Sequence, residues 1–275
     1  MKGRKGDKIN VKKVVREGYA KVAVSSGCGC GCATQASAAG ISKGLGYSAK
    51  DIGEVPEGAN LGLGCGNPVA LASLKKGEVV MDLGSGGGFD CLLAANRVGK
   101  SGKVIGVDMT PEMLDKARAN AKKGKYSNVE FRLGEIENLP AADNSVDVVI
   151  SNCVINLAPD KAKVFSEAFR VLKPGGRLMV SDIVITRPLP AKVMGSVRAY
   201  VGCLSGAIMK GDYLEMIGRA GFKSVKIIEE TLYPVNYMKD DESANAIGKE
   251  AGLTGRELER LGASILSVRV GAVKG

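Results

Sequence analysis

A short apolar run that leads directly into a glycine-rich loop is the feature that most restricts the fold of this chain. Residues 79–83 (Val-Val-Met-Asp-Leu) are followed at once by residues 84–88 (Gly-Ser-Gly-Gly-Gly). The run predicts a buried strand, and the glycines let the backbone turn sharply and approach a ligand above a helix N-terminus. The glycine spacing is not the Gly-x-Gly-x-x-Gly of dinucleotide binders, and the Lys-Ser/Thr of a Walker loop does not follow.

Strand-like and helix-like patterns alternate from about residue 77 onward. The predicted strands are Glu78–Leu83, Lys103–Asp108, Val129–Leu133, Val146–Asn152, Arg177–Asp182, Val225–Leu232 and Ser264–Val273. The helices predicted between the first five strands cover residues 89–98, 111–124 and 160–172. This alternation predicts βαβ units, and therefore an α/β fold with a Rossmann-like, doubly wound sheet that is mostly parallel with an antiparallel edge strand.

Three segments are predicted along the chain. Residues 1–59 form a basic, helical appendage rich in glycine and cysteine, and residues 60–186 form the Rossmann-like core. Residues 187–275 contain a late insertion and then the helices and strands that complete the sheet. The helices predicted outside the core cover residues 8–23, 48–53, 212–220 and 239–261.

Histidine is absent from all 275 residues, which excludes His-based acid–base catalysis, Ser-His-Asp triads and His-ligated metal sites. The net charge of +10 would suggest nucleic acid as a partner, but much of it lies in residues 1–21, where eight Lys/Arg face two acids. The seven Tyr and five Phe provide few surfaces on which bases could stack. We therefore expect a basic, solvated N-terminal arm and no nucleic-acid partner.

No apolar run reaches membrane-spanning length without a polar residue or glycine, so we expect no membrane partner. The basic start is followed by Ser, Gly and Cys, where a signal peptide would have an apolar region. Both observations predict a cytoplasmic protein, in which the seven cysteines are free thiols.

A second strand ends in an acid 20 residues after the last glycine of the loop. Residues 104–107 (Val-Ile-Gly-Val) precede Asp108, and an acid in this place can accept hydrogen bonds from both hydroxyls of a ribose. Residues 133–140 (Leu-Gly-Glu-Ile-Glu-Asn-Leu-Pro) follow the third strand, where the edge of an adenine would lie. The sequence thus predicts a nucleoside site at the carboxyl ends of the first three strands.

This assembly resembles the class I S-adenosylmethionine-dependent methyltransferases over residues 60–235, including Leu-Lys-Pro-Gly-Gly at residues 172–176. The resemblance implies S-adenosylmethionine as the cofactor. It also implies a set of cofactor-binding residues: Asp82, Gly84, Gly86 and Gly88 for the amino acid part, Asp108 for the ribose, Glu135 and Ile136 for the adenine, with Ser85, Met109, Gly134 and Asn152 beside them. The alternative is a Rossmann-like domain that binds another nucleotide or none.

Three cysteines fall in loop-like settings around this predicted pocket. Cys153 follows the fourth strand, Cys203 lies in the late insertion, and Cys65 lies between two glycines before the first strand. Because soft thiolates select soft acceptors, these three cysteines indicate a thiophilic metal or metalloid substrate. The alternative for each is packing in the core, which is our interpretation of Cys91 on the helix after the glycine loop.

The segments around these cysteines, above all Ser-Asn-Cys-Val-Ile-Asn-Leu at residues 151–157, resemble the arsenite methyltransferases. The resemblance implies that Cys153 and Cys203 bind arsenic(III), and we expect Cys65 as a third ligand. It further implies that Cys65 and a cysteine nearer the N-terminus take part in thiol–disulfide turnover. One departure is that residues 62–63 (Gly-Leu) stand where many relatives carry aromatics.

The Cys-Gly-Cys-Gly-Cys run at residues 28–32 offers three candidates for the N-terminal thiol, of which Cys32 is nearest the spacing of the family. The run leaves two alternatives open, a trap for a soft metal or a mobile thiol arm. Three sulfur ligands at this spacing make a poor zinc site, whereas thiol exchange favours accessible sulfurs.

The resemblance implies methylation of arsenite and of methylated arsenite, in arsenic detoxification, with a thiol reductant of the glutathione, thioredoxin or other small-thiol type. The lone pair of arsenic(III) carries no proton, so the transfer needs no general base. Two alternatives remain. One is a carbon-methyltransferase for a quinone-like acceptor, and the other is a non-catalytic thiol protein that binds metal or senses redox state.

Overall fold

The computed structural model describes residues 11–24, 35–68, 73–190, 193, 204, 206–232, 252 and 254–275. The strands are β1 (Val79–Leu83), β2 (Lys103–Asp108), β3 (Val129–Leu133), β4 (Val146–Asn152), β5 (Leu172–Ile185), β6 (Phe222–Leu232) and β7 (Ile265–Lys274). The α-helices are α1 (Val11–Val24), α2 (Gln35–Gly44), α3 (Ala49–Gly53), α4 (Phe89–Val98), α5 (Pro111–Lys123), α6 (Lys161–Val171), α7 (Lys210–Arg219) and α8 (Gly255–Gly262). A 3-10 turn at Ile155–Leu157 follows β4.

The strands form one sheet in the order β3-β2-β1-β4-β5-β7-β6. Neighbouring strands from β3 to β5 are parallel, and β7 runs antiparallel to both β5 and β6. The strand order reverses between β1 and β4, and a crevice opens at the carboxyl ends of strands at such a point. The predicted α/β, Rossmann-like, doubly wound fold is confirmed.

Helices cover the sheet on both faces. One apolar cluster joins the sheet to α6 and α7, with Phe165 and Tyr213 fully buried edge to face at 5.3 Å between ring centroids. A second cluster joins the opposite face to α4 and α5 through side chains such as Leu92 and Leu114. A third cluster lies beyond the ends of β4 and β5, and it includes Val15 of α1.

The antiparallel strand lies inside the sheet, where we expected it at the edge. β7 is apolar and buried along nearly its whole length, whereas β6 exposes lysines and glutamates. A strand that is apolar on both faces is covered on both faces, and charged side chains protect an exposed edge from further pairing. The charge pattern of the two strands therefore explains why β6 is the edge.

Some helices differ from the sequence prediction. Helix α2 was not predicted, because its Gln-Ala-Ser-Ala-Ala-Gly composition gives no apolar stripe. The helix predicted at 239–261 lies mostly outside the described residues, and α8 corresponds to its last part. Most of the predicted insertion also lies outside them, so the division into three segments stays a prediction. Within the described ranges, no helix is both long and apolar enough to cross a bilayer.

Candidate active site

The glycine loop connects β1 to α4 at the centre of the sheet. Gly84, Gly86 and Gly88 all have positive φ angles, of 69°, 50° and 90°. Residues with a Cβ rarely adopt this backbone conformation, which explains the three glycines. A Cβ on Gly84 would overlap Val154, whereas the space beside Gly86 is open. The loop therefore packs closely on one side and presents bare backbone on the other.

Asp108 at the end of β2 fixes the shape of this loop. One carboxylate oxygen accepts a hydrogen bond from the Gly86 N–H at 2.9 Å, and the other accepts from the Thr110 N–H at 2.8 Å. Burial raises the pKa of Asp108, whereas the backbone hydrogen bonds oppose that rise. Each carboxylate oxygen keeps a second lone pair, so Asp108 can still accept hydrogen bonds from a ligand.

Two further carboxylates lie beside Asp108. Asp82 and Asp90 are 2% and 8% exposed. Burial raises the pKa of Asp82 well above its usual value, and the charge of Asp90 raises it further. Burial likewise raises the pKa of Asp90 to about 6. Three acids this close together, two of them buried and Asp108 half-buried, are stabilised by a positive charge, so this part of the site is suited to a cationic ligand.

An open cleft runs along the carboxyl ends of the strands. The predicted site residues that line it are Asp82, Gly84, Ser85, Gly86, Asp108, Met109, Gly134, Ile136, Asn152 and Cys153. Other parts of the lining come from segments before β1, such as Tyr19 of α1, Tyr47 and Leu63. One cleft thus brings together the glycine loop, the acid of β2 and a cysteine at the end of β4.

Two of the predicted cofactor residues have other surroundings. Gly88 precedes α4, and a Cβ there would press on Phe131 and Ala117, so this glycine permits close packing of the loop. The Glu135 carboxylate forms an ion pair with Lys12 Nζ at 2.6 Å, and Glu137 pairs with the same nitrogen at 3.0 Å. These two ion pairs attach α1 to the loop after β3.

Cys65 and Cys153 are joined by a disulfide at the other end of the cleft, with 5.7 Å between their Cα atoms. They are 1% and 6% exposed. The expectation that all cysteines are free thiols is wrong for this pair. The sequence placed both near the pocket, but it could not show that the end of β4 meets the Gly64–Gly66 turn. Cys153 has a φ of 63°, and its N–H donates to the Ser181 carbonyl oxygen at 2.9 Å. A non-glycine residue held in this strained backbone is often a functional residue.

Asp182 of β5 lies beside the disulfide and is fully buried. One of its carboxylate oxygens and the two sulfurs all lie within 4.8 Å of one another. Burial raises the pKa of Asp182 to about 7, and hydrogen bonds from the Ile183 N–H and the Tyr213 hydroxyl oppose that rise. The Asn156 side chain also donates to it at 2.8 Å.

The remaining predicted thiols, Cys203 and Cys32, lie outside the described residues, as do Cys28 and Cys30. Cys91 is fully buried on α4, as its packing interpretation predicts, and its thiol also donates a hydrogen bond to Asp82 at 3.2 Å.

Sequence reasoning missed Lys12, Tyr47, Asp90 and Asp182. Two of them had a usable signal. Asp182 lies near the carboxyl end of a strand beside β4, and Asp90 lies in the first turn of the helix that follows the glycine loop, both places where α/β folds bind ligands. Lys12 and Tyr47 come from the N-terminal segment, and nothing in their local sequence indicates which part of the core they contact.

The comparisons with known proteins agree with this geometry. A family described as "Methyltransferase domain" matches residues 74–221, which is more than half of the chain. The chain is 51% identical to an arsenite methyltransferase of Halobacterium salinarum over 80% of its own length and 59% of the relative's. It is 44% identical to an arsenite methyltransferase of Aquipseudomonas alcaligenes, over 61% of its own length and 50% of the relative's. The chain thus spans about half the length of these curated relatives.

A solved structure of an enzyme with a similar name has a similar three-dimensional fold. It is an arsenic(III) S-adenosylmethionine methyltransferase from Chlamydomonas reinhardtii, 32% identical, with a TM-score of 0.64. The match covers 86% of this chain and 73% of that one. The chain therefore belongs to the methyltransferase-domain family and, within it, to the arsenic(III) S-adenosylmethionine methyltransferases.

Proposed function

We propose that this protein transfers a methyl group from S-adenosylmethionine to trivalent arsenic held by cysteine thiolates, as a step in arsenic detoxification. One observation carries the proposal. Cys153 lines the cleft beside the glycine loop and is also half of the buried cysteine pair with Cys65. A soft acceptor bound to this sulfur would therefore lie in the same cleft as the cofactor.

The residues present fit S-adenosylmethionine. Asp82, Asp90 and Asp108 offer three carboxylates to a cationic ligand, and Gly86 leaves open space over the loop. The Ser85 hydroxyl lines the cleft and is buried without a hydrogen-bond partner among the described residues. A buried hydroxyl in this state is stabilised by a ligand that supplies the missing hydrogen bond.

Bound S-adenosylmethionine supplies an electrophilic methyl group on a positively charged sulfur. The acids around the glycine loop would hold its charged and ribose portions, and apolar side chains such as Leu63 and Leu157 would exclude water from the cleft. No residue has to remove a proton, which agrees with a chain that has no histidine. Alignment of the two reactants can contribute roughly 7–11 kcal/mol to lowering the barrier.

Cys153 and Cys203 are the proposed arsenic ligands, with Cys65 as the third. Leu204, the residue after Cys203, packs in the same apolar cluster as Cys65 and Cys153, which supports a place for the late insertion beside the pair. Each thiol that binds arsenite replaces a hydroxyl on arsenic and releases water. Thiolate ligands also leave the arsenic electron-rich and therefore nucleophilic.

After each methyl transfer, the arsenic must receive two electrons to return to the trivalent state. When the arsenic lone pair forms the As–C bond, the bond between the methyl group and the sulfonium sulfur breaks, S-adenosylhomocysteine leaves with that electron pair, and the arsenic is formally oxidised to the pentavalent state. The thiolates of Cys65 and Cys153 can return these electrons as they join in a disulfide, which is the state of the pair in this structure. Two equivalents of an external thiol then reduce that disulfide. Cys32 is the proposed N-terminal thiol for this exchange.

This chemistry also supports the proposed partners and location. A glutathione-, thioredoxin- or other small-thiol-type reductant is available in the cytosol, where thiols are kept reduced. We therefore propose a cytoplasmic enzyme that acts on arsenite and methylated arsenite and requires neither nucleic acid nor a membrane.

The test is mass spectrometry of methylated arsenic. The purified protein is incubated with S-adenosylmethionine, arsenite and glutathione, and compared with the Cys153→Ser and Cys203→Ser variants. We expect product from the wild type and a loss of at least about 10³-fold in each variant, as when a group that holds the reactant is removed. Calorimetry with S-adenosylhomocysteine shows whether each variant still binds the cofactor's product.

Two parallel reactions separate the alternatives. A quinone acceptor replaces arsenite in one, and arsenite binding without S-adenosylmethionine is measured in the other. A methylated quinone formed equally well by both cysteine variants would contradict the proposal in favour of a carbon acceptor. Arsenite binding without any methylated product would instead indicate a thiol protein that binds arsenic without turnover.

A further inference from the structure

The side-chain amide of Asn152 joins groups from distant parts of the chain. Its oxygen accepts a hydrogen bond from the Cys65 N–H at 2.9 Å. Its nitrogen lies 2.9 Å from the Tyr47 hydroxyl oxygen, 2.9 Å from the Gly66 carbonyl oxygen and 3.0 Å from an Asp90 carboxylate oxygen. The Tyr47 hydroxyl donates to the other Asp90 oxygen at 2.7 Å.

These contacts use every polar group of the amide. An asparagine side chain has two N–H donors and one carbonyl oxygen, and here one donor and three acceptors of the protein surround it. Asn152 lines the cleft, yet its polar atoms are engaged with the protein itself. Its contribution is therefore to hold those groups in place.

The glycines on either side of Cys65 show how closely the turn is held. A Cβ on Gly64 would lie 2.6 Å from the Asn152 amide nitrogen, and a Cβ on Gly66 would overlap the Ser181 hydroxyl. The turn thus fits between the ends of β4 and β5 only because both flanking residues lack side chains. This accounts for the Gly-Cys-Gly motif in physical terms.

We infer that Asn152 is a positioning residue that holds the Gly64–Gly66 turn against the end of β4 and so keeps the Cys65 sulfur beside Cys153. We further infer that Asn152, through Asp90, links the pairing of these two cysteines to occupancy of the cofactor cleft. The second part rests on the proposed function, which supplies the cationic ligand.

Asp90 provides the link because its carboxylate lines the cleft and also receives a hydrogen bond from Asn152. An ionised carboxylate can only accept hydrogen bonds, so the N–H groups of Asn152 must face it. The amide oxygen then faces the Cys65 N–H, as observed. A cation in the cleft favours the ionised Asp90 and with it this orientation of the amide.

The experiment measures the redox equilibrium of the cysteine pair without arsenic. The full chain is equilibrated with mixtures of glutathione and glutathione disulfide, trapped by alkylation, and the Cys65–Cys153 disulfide is quantified by peptide mass spectrometry. The two protein thiols give two electrons and two protons to glutathione disulfide, which leaves as two glutathione molecules. Each series is run with and without saturating S-adenosylmethionine.

In the wild type, we expect S-adenosylmethionine to shift the equilibrium about fivefold toward the disulfide. By linkage, the oxidised protein should bind S-adenosylmethionine more tightly by the same factor, which calorimetry measures independently. A shift of the equilibrium by S-adenosylmethionine is a readout that a purely structural role of Asn152 would not produce, and the calorimetric value checks its size.

The Asn152→Ala variant should move the equilibrium about tenfold toward the thiols and abolish the effect of S-adenosylmethionine. The matched control is Asn128→Ala, which removes a half-buried amide that donates to the Ala95 and Gly99 carbonyls at the opposite end of α4. It should behave as the wild type. A second variant, Asp90→Asn, should keep the pairing of the cysteines and lose the link, which tests the inference without altering Asn152.

Each outcome decides one part. An Asn152→Ala variant that pairs its cysteines as the wild type does overturns the positioning role. If S-adenosylmethionine binds the wild type without moving the equilibrium, only the link through Asp90 is overturned, and the positioning role stands. If it does not bind at all, the link and the proposed function fail together, while the cysteine equilibrium of Asn152→Ala still decides the positioning role.

Discussion

The two ends of the cleft are built in different ways. The side that we propose binds the cofactor, the cofactor side, comes largely from one continuous stretch, in which β1, the glycine loop, α4 and β2 follow one another over residues 79–108. The thiol side comes from three short pieces, the Gly64–Gly66 turn, the end of β4 and the carboxyl-terminal part of β5. Its two cysteines are 88 residues apart in sequence.

The chemistry of the two sides differs as well. The cofactor side contains the carboxylates of Asp82, Asp90 and Asp108, and it suits a positive charge. The thiol side is an apolar cluster in which Asp182 is the acid beside the two sulfurs. The difference teaches that single substitutions can change how the cofactor side binds a ligand. The thiol side depends instead on the order of the strands, which brings β4 and β5 together.

The largest expected effect tests whether cofactor binding can be lost without any change on the thiol side. In the Asp108→Ala variant, the affinity for S-adenosylmethionine should fall about 100-fold, because acceptors for the ribose and for two backbone N–H groups are lost together. Calorimetry measures the affinity. The Cys65–Cys153 equilibrium without S-adenosylmethionine should stay that of the wild type.

Asp115→Ala is the matched control, since this exposed acid of α5 pairs with Arg118 on the surface. It should leave both measurements unchanged. If Asp108→Ala altered the cysteine equilibrium of the ligand-free protein as strongly as it altered the affinity, the two sides would form a single unit and the comparison would fail.

The same contrast explains what could be predicted from the sequence. Strands β2, β3 and β4 have the predicted bounds and β1 begins one residue later than predicted, because each is a short run rich in apolar residues that ends at a glycine, an acid or a turn. The cofactor side could be recognised from Asp82, the glycine spacing and Asp108 for the same reason. The disulfide and the hydrogen bonds of Asn152 could not, because they depend on contacts between residues up to 105 positions apart.

The next prediction uses pH to compare the two sides, since each has a buried carboxyl group with a raised pKa. The pKa of Asp90 is about 6 and that of Asp182 is about 7, both raised by burial. In the folded protein these two acids keep protons that the unfolded chain releases above about pH 4, so the stability that they contribute is fully present below pH 4 and is lost as pH rises through about 6 and 7. For Asp182, the free energy of unfolding should fall by about 2–3 kcal/mol between pH 5 and pH 8.

Urea unfolding at several pH values, with the disulfide intact, measures this slope. Asp182→Asn should remove the share of Asp182, whereas saturating S-adenosylmethionine should remove only the share of Asp82, Asp90 and Asp108, because a cation in the cleft compensates those three acids and not Asp182. A slope that S-adenosylmethionine removed entirely would show that Asp182 senses the same ligand as those three acids, contrary to the separation of the two sides.

The smallest expected effect concerns α1, which touches both sides. Val15 of this helix is 1% exposed and packs in the cluster that contains Cys65 and Cys153, while Lys12 pairs with Glu135 beside the cofactor side. Because partly exposed ion pairs contribute about 0.2–1 kcal/mol, Lys12→Ala should weaken S-adenosylmethionine binding by no more than about fivefold and less at high salt.

Lys13→Ala is the control, since Lys13 pairs with Glu17 within the same helix and is well exposed. If Lys12→Ala behaves as expected, α1 is held mainly by its apolar contacts on the thiol side, and the ion pairs of Lys12 add only a small contribution. A loss far beyond fivefold that disappears in high salt would mean that the acidic loop after β3 holds the helix. In that case α1 would belong to the cofactor side, and Val15 would be the residue through which it contacts the thiol side.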